Sequence, residues 1–110
     1  MTYRSRKYLA AAKGQPCTLQ IPGVCIGGTE TTVACHSPLG EDRNGAKAPD
    51  FAVADGCRAC HDTLDRRAKI SEGHEVVLGQ FITDEDQRYY FHRGMVRTLA
   101  NRIERGILKV

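Results

Sequence analysis

The chain has 110 residues and a formal net charge of +3, from 16 Lys and Arg against 13 Asp and Glu, an excess too small to establish a polyanionic partner unless the basic residues gather on one face. No apolar run approaches the roughly 18 residues of a membrane span, and the opening MTYRSRKYL has no apolar signal stretch, so the expectation is one cytoplasmic domain over residues 1–110 with no membrane partner. With no Trp and 26% charged residues the core is expected to be modest, and a staple would help it.

In chain order, RSRKYLAAAK (4–13) combines good helix formers and is followed by Gly14, which predicts a short basic helix. CTLQIPGVCIGG places Cys17 and Cys25 around Pro22 and Gly23 and reads as a tight knuckle. TTVAC (31–35) is β-branched and predicts a strand ending at His36. Pro38, Gly40, Asn44, Gly45 and Pro49 mark a loop, FAVA (51–54) a second strand, and DTLDRRAKI after Cys57, Cys60 and His61 a helix. A segment with Val76, Val77, Leu78, Phe81 and Ile82 adds a strand or packs on the core. Thr83 then caps a last helix, about 83–105, with Asp84, Glu85 and Asp86 in its first turn and Gly106 past its end. On it Tyr89, Val96, Leu99 and Ile103 fall within one narrow arc, an amphipathic stripe.

The strongest chemical signal is Cys57-x-x-Cys60 with the upstream Cys17 and Cys25. In a reducing compartment five cysteines read as metal ligands sooner than as disulfides, and four thiolates suit a structural zinc. The alternatives are buried free thiols or a redox-active CxxC, the latter without a thioredoxin-like βαβ pattern around it. A closed tetrathiolate has no open position, so catalysis needs a second site. His61 and Asp65 share one helix face and can hold a divalent cation, while His36 suits a general base. Against this, Asp62 and Asp65 could merely complement the helix N-terminus, and His36 could replace Cys17 or Cys25 in the cage. His74 reads as a loop residue and His92 as a helix residue at the core edge. Arg4, Arg6, Lys7, Arg58, Arg66, Arg67 and Lys69 could track phosphates or form a solvated face; Arg93 and Arg97 could touch nucleic acid or only water.

The pattern CHSP, a Gly-containing loop, then CRACH and a basic helix resembles the HNH, or ββα-metal, nucleases. More narrowly, RKYLAAAKGQPCTLQIPGVC, ETTVACHSP and CRACHDTLDRR look like the small phage and prophage proteins of the YbcO type, which are similar in turn to the RecA-dependent nuclease Ref. The resemblance implies His36 as general base, His61 as a ligand of the catalytic cation, and Asp50 about where the middle Asn of the HNH pattern orients the base. Cys35 stands where many such enzymes carry an acidic or His ligand, and Asp65 can supply the missing one. The expectation is therefore an α+β zinc-stapled ββα core over about residues 15–70 with N- and C-terminal helices. It would hydrolyse DNA with magnesium or manganese in phage recombination, with a RecA-like partner possible. The rival expectations are a zinc-stabilised DNA-binding or protein-interaction module without the chemistry, and a thiol-disulfide oxidoreductase.

Overall fold

A hydroxyl or a thiol begins each of the described helices. The computed structural model describes residues 4–38, 48–65 and 82–109, and among these the elements are α1 (Arg6–Ala10), β1 (Val33–His36), β2 (Val53–Gly56), α2 (Arg58–Leu64) and α3 (Asp84–Glu104). Ser5 Oγ accepts from Tyr8 N at 3.2 Å, Cys57 Sγ from Cys60 N at 3.4 Å and Thr83 Oγ1 from Asp86 N at 3.0 Å. Each satisfies one backbone donor that a helix start leaves without an internal partner. Gly106, at φ +71° in the left-handed region, lets the chain turn off the end of α3.

The two strands pair antiparallel, with Val33 opposite Gly56 and His36 opposite Val53, and the architecture is a small α+β arrangement around this two-stranded sheet. Among the described residues the outer edge of β2 is closed by Thr18 and Thr98 rather than by a third strand. Asp55 N donates to Thr98 Oγ1 at 2.9 Å, while Asp55 O accepts from Thr18 N at 2.6 Å and Thr18 Oγ1 at 2.8 Å. Both backbone groups of Asp55 thus point away from β1 and are paired, which removes an edge that would otherwise recruit another strand.

That edge dictates which face of α3 is buried. Gln87, Phe91, Gly94, Thr98 and Arg102 face inward, at helical steps of four, three, four and four residues. A Cβ on Gly94 would lie 2.9 Å from both Ala54 Cβ and Leu19 Cδ2, so only glycine lets the helix approach this closely. The amphipathic stripe expected from the sequence is accordingly not the packed face: Tyr89, Val96 and Ile103 are 57%, 49% and 40% exposed, and Leu99 is half-buried. Contact with a polar strand edge requires small and hydrogen-bonding residues, and the apolar pattern looks away from it.

Arg102 completes that contact. Fully buried, it donates to Asp55 Oδ1 at 2.6 Å from Nη2 and to Asp55 Oδ2 at 2.7 Å from Nη1, while its Nε reaches Tyr8 O at 3.0 Å and its guanidinium lies over the Tyr8 ring. One side chain thereby joins α3 to β2 and to α1. Such a pair adds little relative to an apolar one, but removing one partner leaves a buried charge uncompensated. Arg102→Met is therefore expected to destabilise the fold by about 3–5 kcal/mol, read as a lowered midpoint in urea denaturation, with Arg102→Met/Asp55→Leu recovering part of the loss.

Other sequence expectations shift by small amounts. The N-terminal helix covers Arg6–Ala10, not residues 4–13; its continuation through Gly14 is turn. β2 runs over Val53–Gly56, two residues beyond the expected 51–54, because all four of its residues are buried and no polar alternation marks it. α2 starts inside the CxxC turn at Arg58 rather than at Asp62. Of the segment after Ser71, Ile82 packs against the core; Val76, Val77, Leu78 and Phe81 lie outside the described residues, as do His74, Arg66, Arg67 and Lys69.

Candidate active and metal sites

Two short backbone devices assemble the cysteines. In the first, Gln20 adopts a positive φ of 45°, and its N–H lies 3.5 Å from Cys17 Sγ. This costly conformation for a side-chain-bearing residue is clamped from α3: Arg93 donates to Leu19 O at 2.7 Å and Arg97 to Gln20 Oε1 at 3.1 Å. These arginines hold the knuckle instead of facing only solvent. In the second, the N-terminus of α2 turns Cys57 and Cys60 to one side. The outcome is that Cys17, Cys25, Cys57 and Cys60 bring their sulfurs within 4.8 Å of one another, a group that could hold a metal ion. Among the described residues it is the only such group of three or more His, Cys, Asp or Glu ligands. Packed together, the four sulfurs share protons unequally: the hydrogen bond from the Cys60 thiol pulls Cys17 down to about 4 against the effect of burial, and the same bond pushes Cys60 up.

Cys35, though buried on β1, is not part of the cage; its Sγ lies 3.5 Å from Val33 O. Burial first, and then the Asp65 carboxylate, push its thiol well above the usual cysteine range. It is a neutral core residue.

His36 ends β1, and Asp50 sits in the turn that leads into β2, where Ala52 N bonds Pro49 O at 2.9 Å and Ser37 N bonds Ala52 O at 3.0 Å. This carries the strand pairing one step past the ladder and sets the two side chains face to face, with His36 Nε2 3.0 Å from Asp50 Oδ1. The imidazole is thus not in the cysteine cage. Asp50 also accepts from Ser5 N at 2.7 Å and from Arg4 Nη1 at 3.2 Å, and Arg4 further donates to Ala48 O at 2.8 Å. Arg4 therefore anchors the carboxylate from a position 46 residues away in the chain, a role that spacing could not signal. Arg6, Lys7 and Arg58 are exposed.

Burial opposes ionisation of Asp50, but the hydrogen bonds from His36, Ser5 N–H and Arg4 outweigh it and hold its pKa below the usual carboxylate value. A depressed folded-state pKa stabilises the fold above the unfolded-state value of about 3.9, and that stabilisation is lost as pH falls through the lower folded value. Between neutral pH and about pH 3, wild type is expected to lose more stability than Asp50→Asn. Urea midpoints of the two proteins across that range check it, contributions common to both cancelling in the difference.

A second pair lies at the end of α2. His61 Nε2 is 3.1 Å from Asp65 Oδ2, and both side chains are about a quarter exposed, at 24% and 25%. The structure thus brings His36 to Asp50 and His61 to Asp65. A groove of about 340 Å³ whose lining includes Ser37, Pro38, Pro49, Phe91, His92 and Met95 adjoins the first pair along the chain; exposed His92 sits at its rim.

Comparison with known proteins adds the family. A family model described as "Putative nuclease YbcO" matches residues 6–107. The chain belongs to the YbcO family. A YbcO protein of Escherichia coli K12 and its namesake from Enterobacteria phage 82 are each 37% identical over 100 residues, covering 90% of this chain and 93% of the relative. A solved structure described as "Structure of a putative bacteriophage protein from Escherichia coli str. K-12 substr. MG1655" superposes with a TM-score of 0.65 at 32% identity, over 89% of this chain and 98% of that one. The stretch matched by the YbcO family model thus spans nearly the whole chain, and the cysteine cage and both polar pairs lie within it. No helix among the described residues is long and apolar enough to cross a membrane.

Proposed function

We propose that the protein is a zinc-stapled endonuclease of the HNH type that hydrolyses DNA phosphodiester bonds with a divalent cation, magnesium or manganese. The observation that carries the reading is the His36–Asp50 pair at 3.0 Å. An ionised carboxylate can only accept, so the proton between them belongs to Nε2, and the neutral ring keeps its lone pair on Nδ1. That nitrogen can take a proton from water as the water oxygen forms its bond to phosphorus and the leaving oxygen departs. The Asp50 charge stabilises the imidazolium that results. His61 and Asp65 are the residues that would hold the cation, which when bound neutralises charge on the phosphate and the leaving oxygen. Two protein ligands suffice for magnesium, which keeps waters and takes substrate phosphate oxygens as the rest of its shell.

Zinc is the metal that best fits the four thiolates. At a Zn–S length of about 2.3 Å the sulfurs of a tetrahedron are about 3.8 Å apart, close to the 4.0 Å between Cys25 and Cys57. The hairpin β1–β2 followed by α2 supports the ββα reading, the family description supports nuclease activity, and a relative encoded by a phage supports work on phage DNA; recombination, with a RecA-like protein as partner, is the part of the proposal that rests on the family resemblance alone. Exposed Arg6, Lys7 and Arg58, together with Arg66, Arg67 and Lys69, supply the phosphate contacts of this reading, which predicts salt-sensitive binding.

One feature favours the rival, a DNA-binding or interaction module on the same scaffold: buried Cys35 offers no ligand beside His36. An assay on branched, single-stranded and duplex DNA, with and without magnesium or manganese, separates the two. Cation-dependent cleavage by wild type and not by His36→Ala supports the enzyme; equal cleavage by both overturns the role of His36, and binding without cleavage selects the module.

A further inference from the structure

The groove between α3 and the turn that carries Asp50 is a cavity the proposed chemistry does not use. One wall holds Ser37, the residue after His36, and Pro49, the residue before Asp50; the other is the Phe91, His92 and Met95 side of α3. Consecutive Cα atoms are about 3.8 Å apart, so the groove begins one residue from each member of the catalytic pair. Its volume of about 340 Å³ lies within the roughly 300–1,000 Å³ of sites that take small ligands. Pro38, Pro49, Phe91 and Met95 make the walls largely apolar, and Ser37 and His92 add hydrogen-bonding groups. Such walls suit a flat ring with a polar edge.

We infer that this groove receives one unstacked nucleobase of the DNA strand being cut, from a nucleotide next to the scissile phosphate, on the reading above that the His36–Asp50 pair acts on DNA. Three observations choose that occupant. The groove is continuous with the proposed cleavage site, and in DNA the neighbour of a phosphate is a sugar that carries a base. Of these parts only the base has apolar faces. Charge is placed for the phosphates on either side of it: exposed Arg88 lies on the α3 wall, and Arg4, its side chain 47% exposed, is bonded to Ala48 O on the opposite wall. Asp84, one helical turn before Arg88, does not line the groove. Finally, Phe91 and Met95 offer a base the kind of contact that binds single nucleotides without regard to sequence. A base held in a duplex stack cannot enter a cavity, so DNA with an unpaired base beside the cut is the favoured substrate, because there the cost of unstacking is least.

Fluorescence anisotropy tests this with the zinc-loaded full chain, without added magnesium or manganese so that cleavage does not intervene. Three labelled DNAs are compared: a paired duplex, the same duplex with a one-nucleotide adenine bulge, and that bulge with the base removed to leave an abasic site. The adenine bulge is expected to bind about 5- to 150-fold more tightly than either control, the range for one base stacked on an aromatic side chain. Met95→Glu, which puts a charge into the apolar wall, and Ala52→Leu, which fills the groove from half-buried Ala52, should erase that preference with circular dichroism unchanged. Equal affinity of wild type for the adenine bulge and either control overturns the proposal, whether or not the variants fold. So does a preference that both folded variants keep. Binding to none of the three DNAs would overturn the DNA reading and this inference with it, whereas a groove-dependent base preference in a protein that cuts no DNA would uphold the groove and remove only the chemistry.

Discussion

Removal of the zinc proposed for the four cysteines is expected to unfold the chain. Cys17, Cys57 and Cys60 are each at most 4% exposed and lie in the same cluster as Leu19, Ile21, Leu64 and Phe91, so the cage is part of the core. It ties the knuckle after α1 to the start of α2. Structural zinc contributes on the order of 10 kcal/mol, against the usual range of about 5–15 kcal/mol for a whole domain. Without it four sulfurs remain crowded within 4.8 Å of one another with no ion to hold them together. Titration with a strong chelator should therefore abolish the cooperative thermal transition, and Cys60→Ala should be recovered unfolded or with no bound zinc. Cys35→Ala is the control: equally buried but outside the cage, it should lower the thermal midpoint modestly and retain one zinc per chain. A chelated protein that melts like the untreated one would show that apolar packing alone suffices.

Loss of the imidazole at residue 36 is expected to lower DNA cleavage by about 10²–10⁴-fold, the usual contribution of a positioned general base. DNA affinity should change little, because the proposed phosphate contacts come from other residues. Asp50→Asn should fall between wild type and His36→Ala. The amide can still present its oxygen to Nε2–H, but it no longer offers a negative charge to the imidazolium, and its NH₂ group competes for the same place. Single-turnover rates with binding measured separately distinguish this from a defect in affinity. Equal losses of binding and rate would instead mean that Asp50 serves mainly to anchor Ser5 and Arg4.

The parts of this molecule legible in its sequence are those governed by local chemistry. Thr83 with three acids after it and Gly106 beyond marked α3 to within a residue at each end, because caps act over a single turn. The CxxC with two upstream cysteines marked the cage, since ligation demands sulfur whatever the fold around it. What could not be read depends on partners distant in the chain. The inward face of α3 is chosen by the unpaired edge of β2, which calls for Gly94, Thr98 and Arg102, while hydrophobic periodicity pointed to the opposite side. Asp55 and Gly56 look like turn residues locally, yet Thr18, Thr98 and Arg102 hold them in a buried strand. Asp50 enters only through the family resemblance, and its bonds to Arg4 and Ser5 span 46 and 45 residues.

The most direct test of the central claim, that His36 held by Asp50 accepts the proton of the attacking water, is the pH dependence of single-turnover DNA cleavage in manganese. The rate for wild type should rise with pH along an acid limb and then level off, while His36→Ala should be slower at every pH and lack that limb. An identical limb and rate in the two proteins would contradict the claim.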